Sequence, residues 1–546
     1  MTSLLVKLAD PDRWRRAASS YIELWRRNRG DDALDRQLAE FGPVDVRPGE
    51  AIVIAEGMWP NPNHFHRLRL FIEALARRDR FRLLGVLRRR KDWRERRALE
   101  RIGFSEFIYI EDDAEFRTES FLAEADRLLA GTRSHADFLA LKLPEGLPAY
   151  TWYDTALKLA RHPQPALNDS IWRTTLAEAL RDVAIYVRLL ATGPIKHVVT
   201  SHPWKNEWAS LTWLALKRGV PVSHLTAFCE SLRIRRMRRP EDYAIVVEHL
   251  PYAAFDQLDS STQAQLAAFG QADMARRVSG QSSDINTRSA FDPATRIADR
   301  IKARLALSGQ TERPVAIVFS HAWYDFPHQY AMANFTDFHD WLRVTLQAIR
   351  ALPDVIWLLK PHPTEAWYGG YGLADLIGDL PSHIRLLPLK TDAKTALIAA
   401  DAVVTVHGTC AMEAVAQGVP VVAADRSYFS DWGFAYVAHD RDDYSRLLGE
   451  VGRLVKSDET ARQRAAACFA LAVAEPPAEL GAMRISCDSS GSALYGEISR
   501  RYRATPQVIT REIERIGAFL DQDKIDSFAA FHLVELAWAT SLSRVA

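Results

Sequence analysis

The sequence predicts an α/β protein of two doubly wound parallel sheets, with helical additions at both ends. Three observations carry this. At 546 residues the chain exceeds the size at which one hydrophobic core keeps growing. Short apolar strands alternate with amphipathic helices in two separate stretches, one starting at Ala51 and one at Pro314. Each stretch contains a helix that ends in Gly-Val-Pro before the next apolar run, at residues 219–221 and 418–420, so the two halves are built alike.

Composition excludes several classes. Hydrophobic residues make up 48% and charged residues 25%, the balance of an ordinary globular protein, and a net charge of +1 gives no reason to expect nucleic acid as a partner. Cys229, Cys410, Cys468 and Cys487 are far apart with no C-x-x-C pair, which argues against a zinc site and a disulfide framework and fits a reducing cytoplasm. The N-terminal stretch has charges on both sides of every short apolar group. No uncharged run reaches the length of a membrane span, so membrane contact is expected to be peripheral.

Residues 1–45 carry apolar and Arg-rich positions at helical spacing, with Trp14, Tyr21, Leu24 and Trp25 able to share a face, and are expected to pack as a helix on the next domain, with an interfacial helix as the alternative. The first domain, residues 46–245, opens with the strand AIVIAEG, the loop MWPNPNHF and the helix HRLRLFIEALARRD. FRLLGVL and FIYI are its next strands, with the helix WRERRALERIG between them. Residues 115–190 read as a mostly helical insertion. HVVTSHP then runs from a strand into a polar loop, NEWASLTWLALKRG is a helix and VPVSHLTAF a strand. RIRRMRRP, at 233–240, is expected to be a solvated basic turn, with contact to an acidic lipid or glycan as the alternative. Residues 246–312 are polar and helical and are expected to connect the domains. In the second domain, residues 313–440, the strands are VAIVFSHAW, VIWLLKPHP, HIRLLPL and the two apolar runs of 402–425. Several end in polar residues, and in open α/β sheets ligands lie beyond those carboxyl ends. Residues 441–546 are expected to be helical and to fold back on the first domain.

Residues 402–425, AVVTVHGTCAMEAVAQGVPVVAAD, read as strand, tight turn, helix, strand. Gly408 lets backbone approach a ligand, and the following helix offers unpaired N–H groups to an anion. Thr405, His407, Gly408 and Thr409 are therefore expected around a phosphate, with Glu413, one turn on, beside a ribose; an ordinary crossover unit fits the same residues. In Lys360-Pro361-His362-Pro363 two prolines fix the backbone around His362, and Lys360 supplies a charge suited to phosphate.

The pair LLKPHP and TVHGTCAMEAVAQGVPVVA, with SHAWYDFPHQYAMANFTDFHDWLRVTLQAI ahead of it, resembles the nucleotide-sugar half of GT-B glycosyltransferases, and more narrowly bacterial capsular polysaccharide biosynthesis proteins, a group that includes the capsule Kdo transferases. The match lies within residues 315–440. The resemblance implies a GT-B-like fold of two Rossmann-like domains facing a cleft, with the donor nucleotide on the second and the acceptor on the first. It implies His362 on the donor phosphate or sugar, the turn at 405–409 on phosphate, and Glu413 on the ribose. Ser320 and His321 would line the donor site, and Asp325 and His328 would bind the donor sugar or orient the base. Where those Kdo transferases carry a Ser-rich turn this chain has His407-Gly408-Thr409, so the nucleotide base stays open. The diphosphate-binding Arg/Lys pair of many GT-B enzymes is absent unless Lys360 or Arg426 serves.

An inverting transfer also needs a base for the acceptor hydroxyl. Glu56, His64 and His66 lie around the end of the first strand, and His202 and Glu207 lie beyond another strand of the same sheet. Glu56 or His64 is expected as the base, with His362 as the catalytic group of the donor side. Trp59, His202 and Glu207 are expected to bind the acceptor, since aromatic faces such as those of Trp59, Trp204 and Trp208 stack on pyranose rings. No D-x-D pair follows a strand, and helix N-termini and cations can stabilise a leaving phosphate, so neither a metal nor a cofactor is expected. The expected activity is transfer of a sugar from a nucleotide sugar to a capsular or other surface polysaccharide or glycolipid, in the cytoplasm or at the periphery of the inner membrane with the capsule assembly machinery. The alternatives are a nucleotide-sugar 2-epimerase and a non-catalytic capsule assembly or export factor.

Overall fold

The structure, a computed structural model, describes residues 32–226, 230–281, 285–365, 371–475 and 506–542. The expectations for Trp14, Tyr21, Leu24, Trp25, Cys229 and Cys487 lie outside those residues. Two six-stranded sheets dominate. The first contains β1 (Ile52–Glu56), β2 (Arg82–Leu87), β3 (Glu106–Tyr109), β4 (Ile195–Thr200), β5 (Val222–Thr226) and β6 (Arg233–Met237) in the order β3-β2-β1-β4-β5-β6. The second contains β7 (Val315–Phe319), β8 (Ile356–Lys360), β9 (Ile384–Leu386), β10 (Ala402–Thr405), β11 (Val421–Ala423) and β12 (Tyr436–Val437) in the order β12-β11-β10-β7-β8-β9. Counted from its own first strand, each sheet has the same order. Every neighbouring pair is parallel except β5 with β6. Helices cover both faces, so central strands such as β1 (IVIAE) and β10 (AVVT) are buried throughout and read as near-continuous apolar runs. These are two Rossmann-like domains.

Strand β6 corrects the expectation for the basic run. Arg233–Met237 is buried along its whole length. Arg233 and Arg236 are buried because they satisfy carbonyls at the ends of two helices. Arg233 donates to the carbonyls of Ala472, Val473 and Ala474 beyond helix Glu459–Ala472, and Arg236 to those of Phe519, Gln522 and Ile525 at the end of helix Pro506–Asp521. A cation at a helix C-terminus meets both the orphan carbonyls and the negative end of the dipole.

The segment after 440 divides. Helix Arg441–Glu450 lies on the second domain, where Tyr444 Oη accepts from Trp341 Nε1 at 3.0 Å. Helix Glu459–Ala472 packs along helix Ser260–Val278, part of the expected connector. The two approach so closely at Gly270 that a Cβ there would lie 1.8 Å from the Ala466 carbonyl oxygen. The helices Pro506–Asp521 and Phe528–Leu542 reach the first domain through β6 and the Arg78–Asp521 pair at 2.9 Å. Among the described residues no helix is long and apolar enough to cross a membrane.

Candidate functional site

In a doubly wound sheet the strand order reverses at a switch point, and ligands bind beyond the carboxyl ends there. The switch points lie between β1 and β4 and between β7 and β10. They face each other: Trp204, beyond β4, stands 6.2 Å from Phe326, beyond β7, ring to ring. Both are tied across in the same way. In the first domain Glu56, at the end of β1, accepts the Ser201 N–H at 2.9 Å and the Ser201 hydroxyl. In the second His321, just after β7, accepts the N–H groups of Val406 and His407 at 3.4 Å each through Nε2. Each brace links the first strand of its domain to the fourth.

The second-domain mouth holds most of the predicted donor residues. Gly408 is hemmed in, since a Cβ would lie 2.8 Å from Thr405 Oγ1 and 2.9 Å from Cys410 Sγ. The helix after it, Cys410–Val415, is under two turns long, so little of the positive charge for an anion comes from its dipole. Lys360, at the end of β8, supplies more. Its side chain is buried, Nζ has no hydrogen-bond partner among the described residues, and burial brings its pKa down to about 8. The Ser320 hydroxyl beside it is likewise buried without a partner, while the Ser320 N–H donates to the Lys360 carbonyl at 3.0 Å. His407 is buried among Tyr330 at 5.2 Å and Phe338 and His321 at 5.9 Å. Burial lowers its pKa to about 3, so it is a neutral ring and not a phosphate cation. The Thr364 N–H, at 3.3 Å, and hydroxyl, at 2.8 Å, approach His362 Nδ1. Burial lowers His362 to about 4, so the ring is neutral, and a lone pair on Nδ1 puts its proton on Nε2. His362 is a hydrogen-bond donor aimed by its prolines. Glu413 is buried on the same short helix, and Cys410 is pushed up to about 12 by burial.

In the first domain the two expected bases are buried and committed. Glu56 Oε2 also accepts the Met58 N–H at 2.8 Å, and His64 Nε2 lies 3.1 Å from the Glu56 carbonyl oxygen. His66 is paired with Gln37 at 3.0 Å and lowered by burial to about 3. Glu207 forms ion pairs with Arg88 and, at 3.3 Å, with Lys205. His202 is partly exposed. Its Nδ1 lies 2.9 Å from Ser201 Oγ, whose own proton goes to Glu56, so Nδ1 donates and Nε2 carries the lone pair. Trp59, Trp204 and Trp208 surround the ring at 4.3, 5.4 and 5.3 Å, and burial holds its pKa well below the usual histidine value. Glu56, Ser201 and His202 thus form one chain in which a carboxylate orients a neutral imidazole.

Between the mouths the domains are clamped. Asp154, in the helix Tyr150–Ala160 of the 115–190 insertion, takes His328 Nδ1 at 2.7 Å and the His328 N–H at 3.0 Å. Tyr153 donates to Asp337 at 2.6 Å, and Lys158 pairs with Asp325. Asp325 and His328 are thereby engaged with the other domain. The loop carrying them holds Phe326 at φ 52° and Ala331 at φ 67°, left-handed conformations unusual outside glycine and sustained by these contacts. The insertion gave no local signal for this clamp. Ser201 did have one, since the Ser-His pair at 201–202 recurs at 320–321, each time directly after a strand. Among the described residues no group of three or more His, Cys, Asp or Glu is arranged to hold a metal ion.

Two Rossmann-like domains meeting at their switch points define a two-domain α/β protein of GT-B-like architecture. No protein-family model matches the sequence, and no curated protein is significantly similar to it. Among solved structures the chain is similar to the Thermosulfurimonas dismutans KpsC, a beta Kdo 2,4 transferase, at 11% identity over 52% of this chain and 85% of that one, with a TM-score of 0.32. The glycotransferase of kitacinnamycin aligns at 14% identity over 86% and 100%, TM-score 0.24. The Methanocaldococcus jannaschii UDP-GlcNAc 2-epimerase aligns at 10% identity over 76% and 97%, TM-score 0.24. Likeness this loose transfers no residue role.

Proposed function

We propose that the chain is a glycosyltransferase that moves a sugar from a nucleotide-sugar donor to a capsular or other surface polysaccharide or glycolipid. The observation that carries the donor half is Lys360, a buried lysine with an unpartnered ammonium at the switch-point mouth of the second domain. An isolated buried cation is costly, and an incoming phosphate offsets that cost. Lys360 and the Nε2–H of His362 take the donor phosphate, the turn at 405–409 lies against it, and Glu413 accepts from the ribose. These groups stabilise the leaving nucleotide without a metal.

The acceptor half rests on the Glu56–Ser201–His202 chain. His202 Nε2 accepts the proton of the acceptor hydroxyl as that oxygen attacks the anomeric carbon, and the bond to the nucleotide phosphate breaks. Glu56 and Ser201 set the tautomer, so Glu56 acts as a positioning residue, while Trp59 and Trp204 hold the acceptor ring. This base within an aromatic cluster favours transfer over the epimerase reading, which needs no acceptor. Peripheral contact with an anionic membrane belongs to the same proposal and is supported by the Arg-rich helix Trp93–Ile102, where Trp93 is 55% exposed. Nucleotide release tests the reading. A transferase liberates nucleotide only when acceptor is added, an epimerase interconverts donors alone, and an assembly factor does neither.

A further inference from the structure

The arginines of β6 do not share one fate. Arg233 and Arg236 are spent on carboxylates and helix-end carbonyls, but among the described residues the Arg235 side chain between them has no hydrogen-bond or ion-pair partner, although the residue is only 7% exposed. The nearby carboxylates are committed elsewhere. Glu248 serves Arg233 and the Ile234 N–H, Asp526 serves Arg236 and Arg238, and Asp242 accepts from the backbone of Arg238 and Arg239. Of its nitrogens Nε is sealed from solvent, so the terminal pair is what an incoming group can reach.

Its position points toward the cleft. Arg235 stands directly opposite His224 in the antiparallel β5–β6 pair, so their side chains share a face. The His224 ring lies 5.0 Å from that of Trp204, which in turn meets Phe326 of the other domain. Over this face runs the chain leaving the first domain. Its Val246 carbonyl lies 3.2 Å from His224 Nδ1, and Ile245 forms a bridge to Tyr330. A guanidinium is seldom left buried without an anion, and its planar fork matches a carboxylate or a phosphate.

We propose that Arg235 binds an oxyanion, a phosphate or carboxylate carried by a substrate, at the base of the interdomain cleft. Calling that molecule a substrate rests on the transferase reading; the binding itself does not. The test uses the full chain in the Lys360→Met background, which removes the second-domain cation. Melting is followed against inorganic phosphate and, separately, glucuronate, with sodium chloride at matched ionic strength as control. Saturable stabilisation by at least one probe is expected, with phosphate alone indicating a phosphoryl group and glucuronate indicating a sugar acid. Adding Arg235→Met should weaken that response by about tenfold or more. Without probe the same change should leave the melting temperature equal or higher, because an unpaired buried charge is replaced by an apolar chain. Arg235→Lys should retain a weaker response. No stabilisation by either probe, an undiminished response in Arg235→Met, or a variant that melts lower or fails to fold would each overturn the proposal.

Discussion

At the scale of single residues the account depends on protonation states imposed by burial. His202 is held neutral, with its proton directed to Ser201 and its lone pair on Nε2. His202→Asn is expected to lower kcat by about 10²–10⁴-fold, the usual contribution of a general base, with nucleotide affinity unchanged. Ser201→Ala, which breaks the link to Glu56, should lower kcat less and leave the melting temperature close to wild type. A steady-state assay beside a nucleotide titration checks both. Equal losses of kcat and nucleotide affinity would mean that the loop had collapsed. Sequence placed Glu56, His64, His202, Lys360 and His362 at strand ends, because a polar residue after an apolar run is a local signal. It did not show which were sealed. Glu56 read as a base because its tie to Ser201, 145 positions away, is a tertiary contact.

At the scale of elements the arginine strand is the informative case. Arg236 reaches four carbonyls and Asp526, so Arg236→Ala leaves the end of helix Pro506–Asp521 unsatisfied and takes from Asp526 one of its two arginine partners. The expected cost is about 2–4 kcal/mol of unfolding free energy, measurable by denaturant titration. Gly270→Ala should cost about 1–3 kcal/mol by forcing helices Ser260–Val278 and Glu459–Ala472 apart. An unchanged melt for either would show that those helices tolerate separation. Short continuous apolar runs make nearly every other strand legible in the sequence. β6 was hidden because charge ordinarily means solvent, and only the carbonyls of distant helices make it an interior strand. The two-residue β12 was too short to stand out.

At the scale of the whole molecule the two domains are held by the 115–190 insertion, and one of its contacts titrates. Burial alone would lower the His328 pKa, but Asp154, assisted by Asp337 and Asp425, outweighs it and raises the pKa above its ordinary value. A raised folded-state pKa contributes stability that is complete below the unfolded value of about 6.5 and is lost as pH rises through the folded value. The melting-temperature gap between wild type and Asp154→Asn should therefore be larger at about pH 5.5 than at about pH 9. A constant gap would show that His328 does not change charge in that range. The clamp was invisible in sequence because its halves lie 174 positions apart and neither belongs to a motif. The doubly wound pattern of both domains, by contrast, was plain from periodicity.

The most direct test of the central claim is nucleotide binding at the second-domain mouth. Thermal shift of wild type and Lys360→Met against CMP, UDP, GDP, TDP and ADP, without added metal, should show one nucleotide stabilising wild type. At a hundred times its dissociation constant the gain is about 2.7 kcal/mol. In Lys360→Met that stabilisation should largely disappear while the variant stays folded. A wild type that responds to none of the five, or a variant that responds as wild type does, would contradict a donor site built around Lys360.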